Sequence, residues 1–319
     1  MKCSMNEYKI KKHQYYAMKE IVLPQSRMNV KSEEVEFLQF LSSPTVIGLK
    51  ESAIKNGKLY MILEYAPFGT LKTQIAQKRK EQGSFTTKEI LDWMTELFLG
   101  LYVIHKRGFM HRDIKSENLF IGEDNLLKIG DFGLARPGLN SRTVCGTVLY
   151  MAPEIQNNEG YTNLVDIWSA GIVLYELVML RKPFEGINVD AVKAKIMGGR
   201  YDVFPSNVDP KLKRLLSLTL NRASQRATAE QILILSFIRK RLKHLFTPKI
   251  KNDNLLQELS KIKPLPASQL FPFEGPQEKK LYIKDLKSAV LLQLEIPHTS
   301  YSEKFYSMNE VQAIDERYL

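Results

Sequence analysis

The stretch HRDIKSENLF, residues 111–120, followed by KIGDFGLAR, residues 128–136, decides how the rest of the chain is interpreted. Four of its side chains are suited to catalysis or ion binding. They are the carboxylates of Asp113 and Asp131, the amide of Asn118 and the amine of Lys115. Transfer of a phosphoryl group needs an orienting base for the attacking hydroxyl, oxygen ligands for magnesium, and positive charge near the phosphates. This one segment supplies all three.

Composition and charge limit the alternatives. The chain has 319 residues, 44% of them hydrophobic and 25% charged, which is typical of a globular protein with its own core. The net charge is +11, and residues 1–240 hold 34 Lys and Arg against 25 Asp and Glu, hence +9 of it. No dense basic run with interleaved aromatic residues occurs, so we expect anionic partners such as phosphorylated ligands rather than nucleic acid.

Cellular location follows from cysteine usage and hydropathy. The two cysteines, Cys3 and Cys145, offer neither a disulfide framework nor zinc-site spacing, which favours a reducing compartment. The N-terminus lacks an apolar signal region. The longest apolar stretch, residues 170–180, is too short to span a bilayer and contains Glu176. The sequence therefore predicts a cytoplasmic protein without a membrane anchor.

Hydrophobic periodicity predicts a change of character along the chain. Up to about residue 66, short strands surround one helix. A long amphipathic helix follows, with Thr86 and Glu89 suited to a capping box and Gly108 placed to end it. The segment LVDIWSAGIVLYELVML predicts a second, buried helix, and linker-like sequence begins after about residue 246.

Two further motifs, MAPE at residues 151–154 and DIWSAG at 166–171, complete an ordered set that resembles the eukaryotic protein kinases. The resemblance implies an α+β fold of two lobes. Residues 1–66 are expected to form a small, β-rich and incomplete N-lobe, residues 67–246 a larger helical C-lobe, and residues 247–319 a tail of unknown role.

The same resemblance implies which residues bind ATP. Lys19 is expected to contact the α- and β-phosphates, with Glu34 as its ion-pair partner and Glu33 and Glu36 as local competitors. Leu63 is the expected gatekeeper, and Glu64, Tyr65 and Ala66 are the expected hinge residues. Phe120, an aromatic residue after the catalytic loop, is also expected to line the nucleotide site.

Catalytic roles are implied for the opening stretch itself. Asp113 is the expected catalytic base, and Lys115 is expected to steady the γ-phosphate in the DxKxxN setting of serine/threonine kinases. Asn118 and Asp131 are the expected ligands of Mg²⁺, so ATP and Mg²⁺ are the expected cofactors. Protein serine or threonine hydroxyls are the expected acceptors.

The segment LARPGLNSRTVCGTVLYMAPE, residues 134–154, corresponds to an activation loop. Thr143 is the favoured site of a regulatory phosphate, with Ser141 as the second candidate and Arg112 as the phosphate's partner. Thr147 is expected to help form the substrate pocket. The plainer alternative is that Thr143 and Ser141 are merely exposed loop hydroxyls.

Several motif residues are expected to have structural roles. His111 and Trp168 are expected to be packed in the core. Asp166 is expected to hold the catalytic loop, and Arg226 to pair with Glu154.

Within the kinases, four segments are similar to the NIMA-related (NEK) family, with polo-like kinases as neighbours: YYAMKEI, KLYMILEYAPFGTL, ILDWMTELFLGLYVIHKRGFMHRDIKSENLFI and YTNLVDIWSAGIVLYELVMLRKPFEG. Val148-Leu149 departs from the usual proline-aromatic pair. The resemblance implies cytoskeletal or cell-cycle partners, and a cytoskeletal or nuclear location is an alternative to the free cytoplasm.

One expected kinase element is missing from the sequence. The first glycine is Gly48, and only 18 residues precede Lys19, so no glycine-rich loop and only one of two usual strands are expected ahead of it. One interpretation is an active enzyme with reduced activity, or a sequence lacking an N-terminal piece. The alternative is a pseudokinase scaffold that binds proteins. The intact set of Lys19, Asp113, Asn118 and Asp131 favours the enzyme.

Overall fold

The structure is a computed structural model, and it describes residues 3–11, 14–23, 33–41, 43–137, 147–157 and 159–246. These residues fall almost wholly within one compact unit, Met1–Leu242.

A four-stranded antiparallel sheet forms the smaller lobe. Its strands are β1 (Cys3–Lys11), β2 (Gln14–Val22), β3 (Leu49–Lys55) and β4 (Lys58–Glu64), in the order β1-β2-β4-β3. The hairpin between β3 and β4 turns at Asn56 and Gly57, which have φ values of 51° and 70°. Asn-Gly is the dipeptide that such two-residue turns favour, because both residues tolerate positive φ.

Helix α1 (Glu33–Phe40) completes the smaller lobe. Leu38 and Leu41 are each 2% exposed, and Glu34 on the same side is 7% exposed. These three residues therefore form one buried stripe at helical spacing. The apolar run KLYMILEY predicts a buried strand, but the residues of β4 alternate between buried and partly exposed, as in a half-buried strand.

The larger lobe is mainly helical, with short strands and loops. Its helices are α2 (Leu71–Lys80), α3 (Thr87–Lys106), α4 (Pro153–Gln156), α5 (Leu164–Met179), α6 (Val189–Gly198), α7 (Pro210–Thr219), α8 (Ala229–Leu233) and α9 (Ser236–Phe246). Its strands are β5 (Phe109–Met110), paired with β8 (Arg136–Pro137), and β6 (Leu119–Ile121), paired with β7 (Leu127–Ile129).

Helix α3 forms where the sequence predicts it. The Thr86 hydroxyl accepts the Glu89 N–H at 3.2 Å, and the Glu89 carboxylate accepts the Thr86 N–H at 2.7 Å. The Thr86 hydroxyl also donates to the Glu89 carboxylate at 2.7 Å, and this bond, together with the one from the Thr86 N–H, holds the pKa of Glu89 below its usual value. Gly108, with φ of 75°, lies just past the end of the helix. Helix α5 is buried along most of its length, as predicted.

The short strands position the loops that carry the motifs. Strand β7 leads directly to Gly130 and Asp131, while β6 follows the loop that contains Asp113. A methyl group at Gly130 would lie 2.8 Å from the Phe120 ring, so this close approach requires glycine.

The expected α+β fold with two lobes is confirmed. The proposed boundaries at residues 66 and 246 remain predictions, and the tail at residues 247–319 lies outside the described residues. Among the residues that the structure describes, none of the helices combines the length and apolar character needed to cross a membrane.

Candidate active site

Lys19 lies at the centre of strand β2 and joins two elements that are distant in sequence. Its Nζ atom is 2.7 Å from Glu34 Oε1 on helix α1 and 2.8 Å from Asp131 Oδ1 after strand β7. Burial opposes the charged amine, but the two carboxylates raise the pKa of Lys19 above its ordinary value. Lys19 is therefore a buried, permanently charged group.

Glu34, rather than its neighbours, is the glutamate at this lysine. Glu36 is exposed, and the side chain of Glu33 is outside the described residues. A lysine held between two carboxylates has a fixed position, and anionic oxygens can compete for its three donors.

Asp113 is the second focus of the site, and both of its carboxylate oxygens are engaged. Lys115 Nζ is 2.6 Å and Asn118 Nδ2 is 3.0 Å from Oδ2, while Thr147 Oγ1 donates to Oδ1 at 3.1 Å. Lys115 Nζ also donates to Thr147 Oγ1 at 3.1 Å. The carboxylate is thereby fixed in orientation, with a cation beside it.

The loop that carries Asp113 is held by Asp166, which is fully buried on helix α5. Its oxygens accept the N–H groups of His111 at 2.9 Å and Arg112 at 2.8 Å, and His105 Nε2 lies 2.8 Å away. Burial alone would raise the pKa of Asp166, but the His105 contact and these N–H groups lower it. The predicted anchoring role of Asp166 is confirmed.

Two residues of the site have strained backbones. Arg112 has φ of 66° and Asp131 has φ of 60°, and both are non-glycine residues in the left-handed region. Such conformations cost on the order of 1–3 kcal/mol each and cluster at functional sites. His111, which directly precedes Arg112, is fully buried, and burial lowers its pKa, so the ring is a neutral core group rather than an acid or base.

Asn118 and Asp131 provide the oxygen donors expected of a magnesium site. Asn118 Nδ2 donates to the carbonyl and carboxylate oxygens of Asp113, so its Oδ1 atom points away from that residue. Asp131 is 41% exposed at its side chain, and the lysine contact overcomes the effect of burial to lower its pKa. Because Mg²⁺ is usually bound by one or two carboxylates and substrate phosphates, this pair fits the ion. The described residues hold no group of three His, Cys, Asp or Glu side chains that could bind a metal unaided.

The expected hinge lies at the end of β4. Leu63 is 6% exposed and opposite Ala17 of β2. The Glu64 side chain is occupied elsewhere, because it accepts the Gly48 N–H at 3.2 Å and lies 3.0 Å from Lys128 Nζ. The Glu64 N–H is also engaged, because it donates to the Gly48 carbonyl at 2.8 Å, and the assignment of Glu64, Tyr65 and Ala66 as the hinge stays a prediction.

Lys128 is a residue of this region that the sequence analysis missed. It is 4% exposed and contacts Glu64 at 3.0 Å, Asp124 at 3.1 Å and the Pro44 carbonyl at 2.9 Å. These contacts fix β7, which precedes Asp131, against the hinge. Its position inside the quoted motif offered a signal, but a strand lysine ordinarily points to solvent.

Of the expected regulatory pair, Arg112 and Thr143, only Arg112 is among the described residues. Arg112 is 9% exposed and donates through Nε to the Leu134 carbonyl at 2.7 Å. Thr143, Ser141 and Cys145 lie outside the described residues. Farther from the site, Arg226 forms a buried bidentate pair with Glu154 at 2.6 and 3.1 Å, as predicted.

Comparisons with known proteins agree with this geometry. The protein kinase domain family matches residues 3–238. The chain is 37% identical to serine/threonine-protein kinase Nek1 of Mus musculus over 82% of this chain and 22% of that protein. It is 35% identical to Nek3 of Mus musculus over 79% of this chain and 50% of that protein.

A third relative comes from an organism other than the mouse. The probable serine/threonine-protein kinase nek3 of Dictyostelium discoideum is 39% identical over 66% of this chain and 19% of that protein. The chain thus spans between a fifth and a half of the length of these relatives. On the family match, the chain belongs to the protein kinase family, and its similarity is to the NEK group of serine/threonine kinases.

Proposed function

We propose that this chain is an ATP- and Mg²⁺-dependent kinase that phosphorylates serine or threonine hydroxyls of proteins. The observation that carries the proposal is a pair of charged clusters, one at Lys19 and one at Asp113, which are linked by the Gly130 N–H donating to the Asn118 carbonyl at 2.9 Å. Lys19 is 2.8 Å from Asp131 on one side, and Asp113 is bonded to Lys115, Asn118 and Thr147 on the other. A scaffold that only binds proteins has no chemical need for both.

Each side chain has a definite task in this proposal. Lys19 binds phosphate oxygens of ATP, and Leu63, Phe120 and main-chain groups of the hinge enclose the base. Asn118 and Asp131 would hold Mg²⁺, which neutralises charge developing on the phosphates. Asp113 orients the acceptor hydroxyl and accepts its proton, while Lys115 donates to the transferred group. The resemblance to kinases suggests that Arg112 pairs with a phosphate on Thr143.

Transfer to serine or threonine is tested with a peptide library in which only one position carries a hydroxyl. The purified chain is incubated with Mg²⁺ and γ-labelled ATP, and the labelled amino acid is identified after hydrolysis. We expect labelled serine and threonine but no tyrosine. The same preparation carrying Asp113→Asn is the control for contaminating kinases, and equal labelling by both proteins would overturn the proposal.

The cellular setting is the least constrained part of the proposal. The relatives' names identify them as serine/threonine kinases. We propose protein substrates in the cytoplasm, with cytoskeletal or cell-cycle proteins as partners because the chain is similar to the NEK group. Labelled proteins in a cytoskeletal fraction would support a cytoskeletal setting, and labelled proteins in a nuclear extract would support a nuclear one. Labelling by Asp113→Asn gives the background in each case.

A further inference from the structure

A group of polar side chains packs beside the catalytic loop, and the proposed chemistry does not use it. We call it the Tyr150 cluster; its members are Lys72, Glu117, Tyr150, Glu176 and Lys182. Tyr150 belongs to the single helical turn Val148–Tyr150, directly after Thr147, and its hydroxyl is 3.0 Å from Ser116 Oγ in the catalytic loop. The cluster is therefore joined to both segments that position Asp113.

The inner half of the cluster is a buried pair with a lysine over it. The Tyr150 hydroxyl donates to Glu176 Oε2 at 2.5 Å. Lys182 Nζ donates to Glu176 Oε1 at 2.7 Å and to the Tyr150 hydroxyl at 2.9 Å, and lies 4.4 Å from the centre of the tyrosine ring. Burial, followed by the nearby carboxylate, raises the pKa of Tyr150, so its hydroxyl stays protonated.

The outer half repeats this arrangement nearer the surface. Lys72 Nζ on helix α2 is 2.9 Å from Glu117 Oε1 in the catalytic loop. In each half the amine is more exposed than its carboxylate. The side chain of Lys72 is 62% exposed against 33% for Glu117, and that of Lys182 is 22% exposed against 9% for Glu176. A molecule approaching from solvent meets the ammonium groups first.

The cluster lies within reach of a peptide whose hydroxyl is at Asp113. Glu117 is four residues from Asp113, and a chain extends at most about 3.6 Å per residue, so their Cα atoms are within about 14 Å. An extended peptide advances about 3.3 Å per residue. Lys72 Nζ is 2.9 Å from Glu117, and Lys182 Nζ is 2.9 Å from the Tyr150 hydroxyl, which in turn is 3.0 Å from Ser116 Oγ in the same loop. Both ammonium groups are therefore tied to the residues next to Asp113, within the span of two to four extended peptide residues.

From this arrangement we infer that Lys72 and Lys182 set the substrate preference of the kinase. They select acceptor serines or threonines that have an acidic residue two to four positions away, and they disfavour basic residues there. The carboxylates that could attract a basic side chain are already paired with lysines of this chain. The +9 charge of residues 1–240 attracts acidic substrates in the same direction. This inference rests on the proposed function.

The experiment uses the full chain and a set of serine peptides in which each position from −4 to +4 carries glutamate, alanine or lysine. The values of kcat/KM give the glutamate-to-lysine ratio at each position. We expect a ratio of about ten at one or more positions, since one exposed charge pair changes binding by up to about fivefold and the swap reverses a charge. The ratio should fall as salt is added.

Lys72→Met and Lys182→Gln are each expected to lower that ratio by about two- to fivefold, and Lys72→Arg is expected to keep it. Lys88→Met is the matched control, because Lys88 is 65% exposed and pairs with Asp92 at 3.3 Å on helix α3. A purely structural role for Lys72 would change all peptides equally and leave the ratio unchanged. A ratio near one in the wild type, or an unchanged ratio in both variants, would overturn the inference.

A second measurement separates this inference from the proposed function. The same peptides with alanine in place of the acceptor serine are titrated with the protein by fluorescence anisotropy. Preferential binding of glutamate peptides, with no phosphate transfer to the serine peptides, would support the charge preference and overturn the kinase proposal. Phosphate transfer without a charge preference would support the kinase proposal and overturn the charge preference. Absence of both binding and transfer would overturn both.

Discussion

The candidate site has two charged clusters, a lower one around Asp113 and an upper one around Lys19, and they are fixed in different ways. On the lower side, the loop around Asp113 is fixed by hydrogen bonds within a short segment and by the buried carboxylate of Asp166. On the upper side, Lys19 is fixed by two ion pairs to residues far away in sequence, Glu34 and Asp131.

This difference separates positioning of the acceptor from positioning of the nucleotide. The lower side is held by hydrogen bonds within one lobe. The upper side joins two lobes through Lys19, so its geometry depends on their relative position. Changes to the lower side should therefore act on the rate of transfer, and changes to the upper side on nucleotide affinity.

Asp113→Asn is expected to have the largest effect. Loss of the proton acceptor should lower kcat by about 10²–10⁴-fold, the usual contribution of general base catalysis. Affinity for Mg-ATP should be unchanged, because the proposed role of Asp113 is to contact the acceptor hydroxyl and not the nucleotide. Steady-state kinetics and a nucleotide titration measure the two quantities.

Asp202→Asn is the control, because Asp202 is 73% exposed and pairs with Arg181 at the surface. A weaker Mg-ATP complex in Asp113→Asn with unchanged kcat would contradict the division of roles between the two sides.

Lys19→Met should act on the upper side. Each lost hydrogen bond to a charged phosphate is worth about 1.5–3 kcal/mol, so one such bond weakens ATP binding by about ten- to a hundredfold. The KM for ATP should rise by this factor, while the peptide KM should stay close to that of the wild type.

Lys58→Met on the neighbouring strand is the matched control, because Lys58 forms an exposed ion pair with Glu20 at 2.6 Å. Circular dichroism checks that each variant is folded. A change confined to the peptide KM in Lys19→Met would contradict the assignment of Lys19 to the nucleotide.

The smallest effect concerns stability at acid pH. The pKa of Asp166 is lowered in the folded protein, so the unfolded state binds more protons as pH falls below about 4. The stabilising contribution of Asp166 is therefore fully present above its unfolded-state pKa of about 4 and is lost as pH falls through its lower, folded-state pKa. Urea unfolding of Asp166→Asn between about pH 3 and 5 should show a shallower pH dependence than the wild type. Parallel curves for the two proteins would show that Asp166 does not contribute.

Much of this architecture was predictable because local patterns encode it. The capping box at Thr86, the stripe of helix α1 and the turn at Asn56 are formed by residues close in sequence. The pairing of Arg226 with Glu154 was predictable only through the kinase resemblance, since 72 positions separate the two residues.

The buried charged clusters were not predictable from periodicity. Lys128 and Lys182 each meet carboxylates from other elements, and a lysine in a strand or loop is ordinarily expected to face water. Their burial depends on which carboxylates the fold brings near, and a pattern of apolar residues holds no information on that. The occupied side chain of Glu64 was missed for the same reason.

Calorimetric titration of the 319-residue chain with ATP, with and without Mg²⁺, tests the central claim that the site formed by Lys19, Asn118 and Asp131 binds nucleotide. We predict measurable binding that Mg²⁺ strengthens and that Lys19→Met weakens. Absence of binding by the folded wild-type chain at any Mg²⁺ concentration would contradict the account and favour a scaffold.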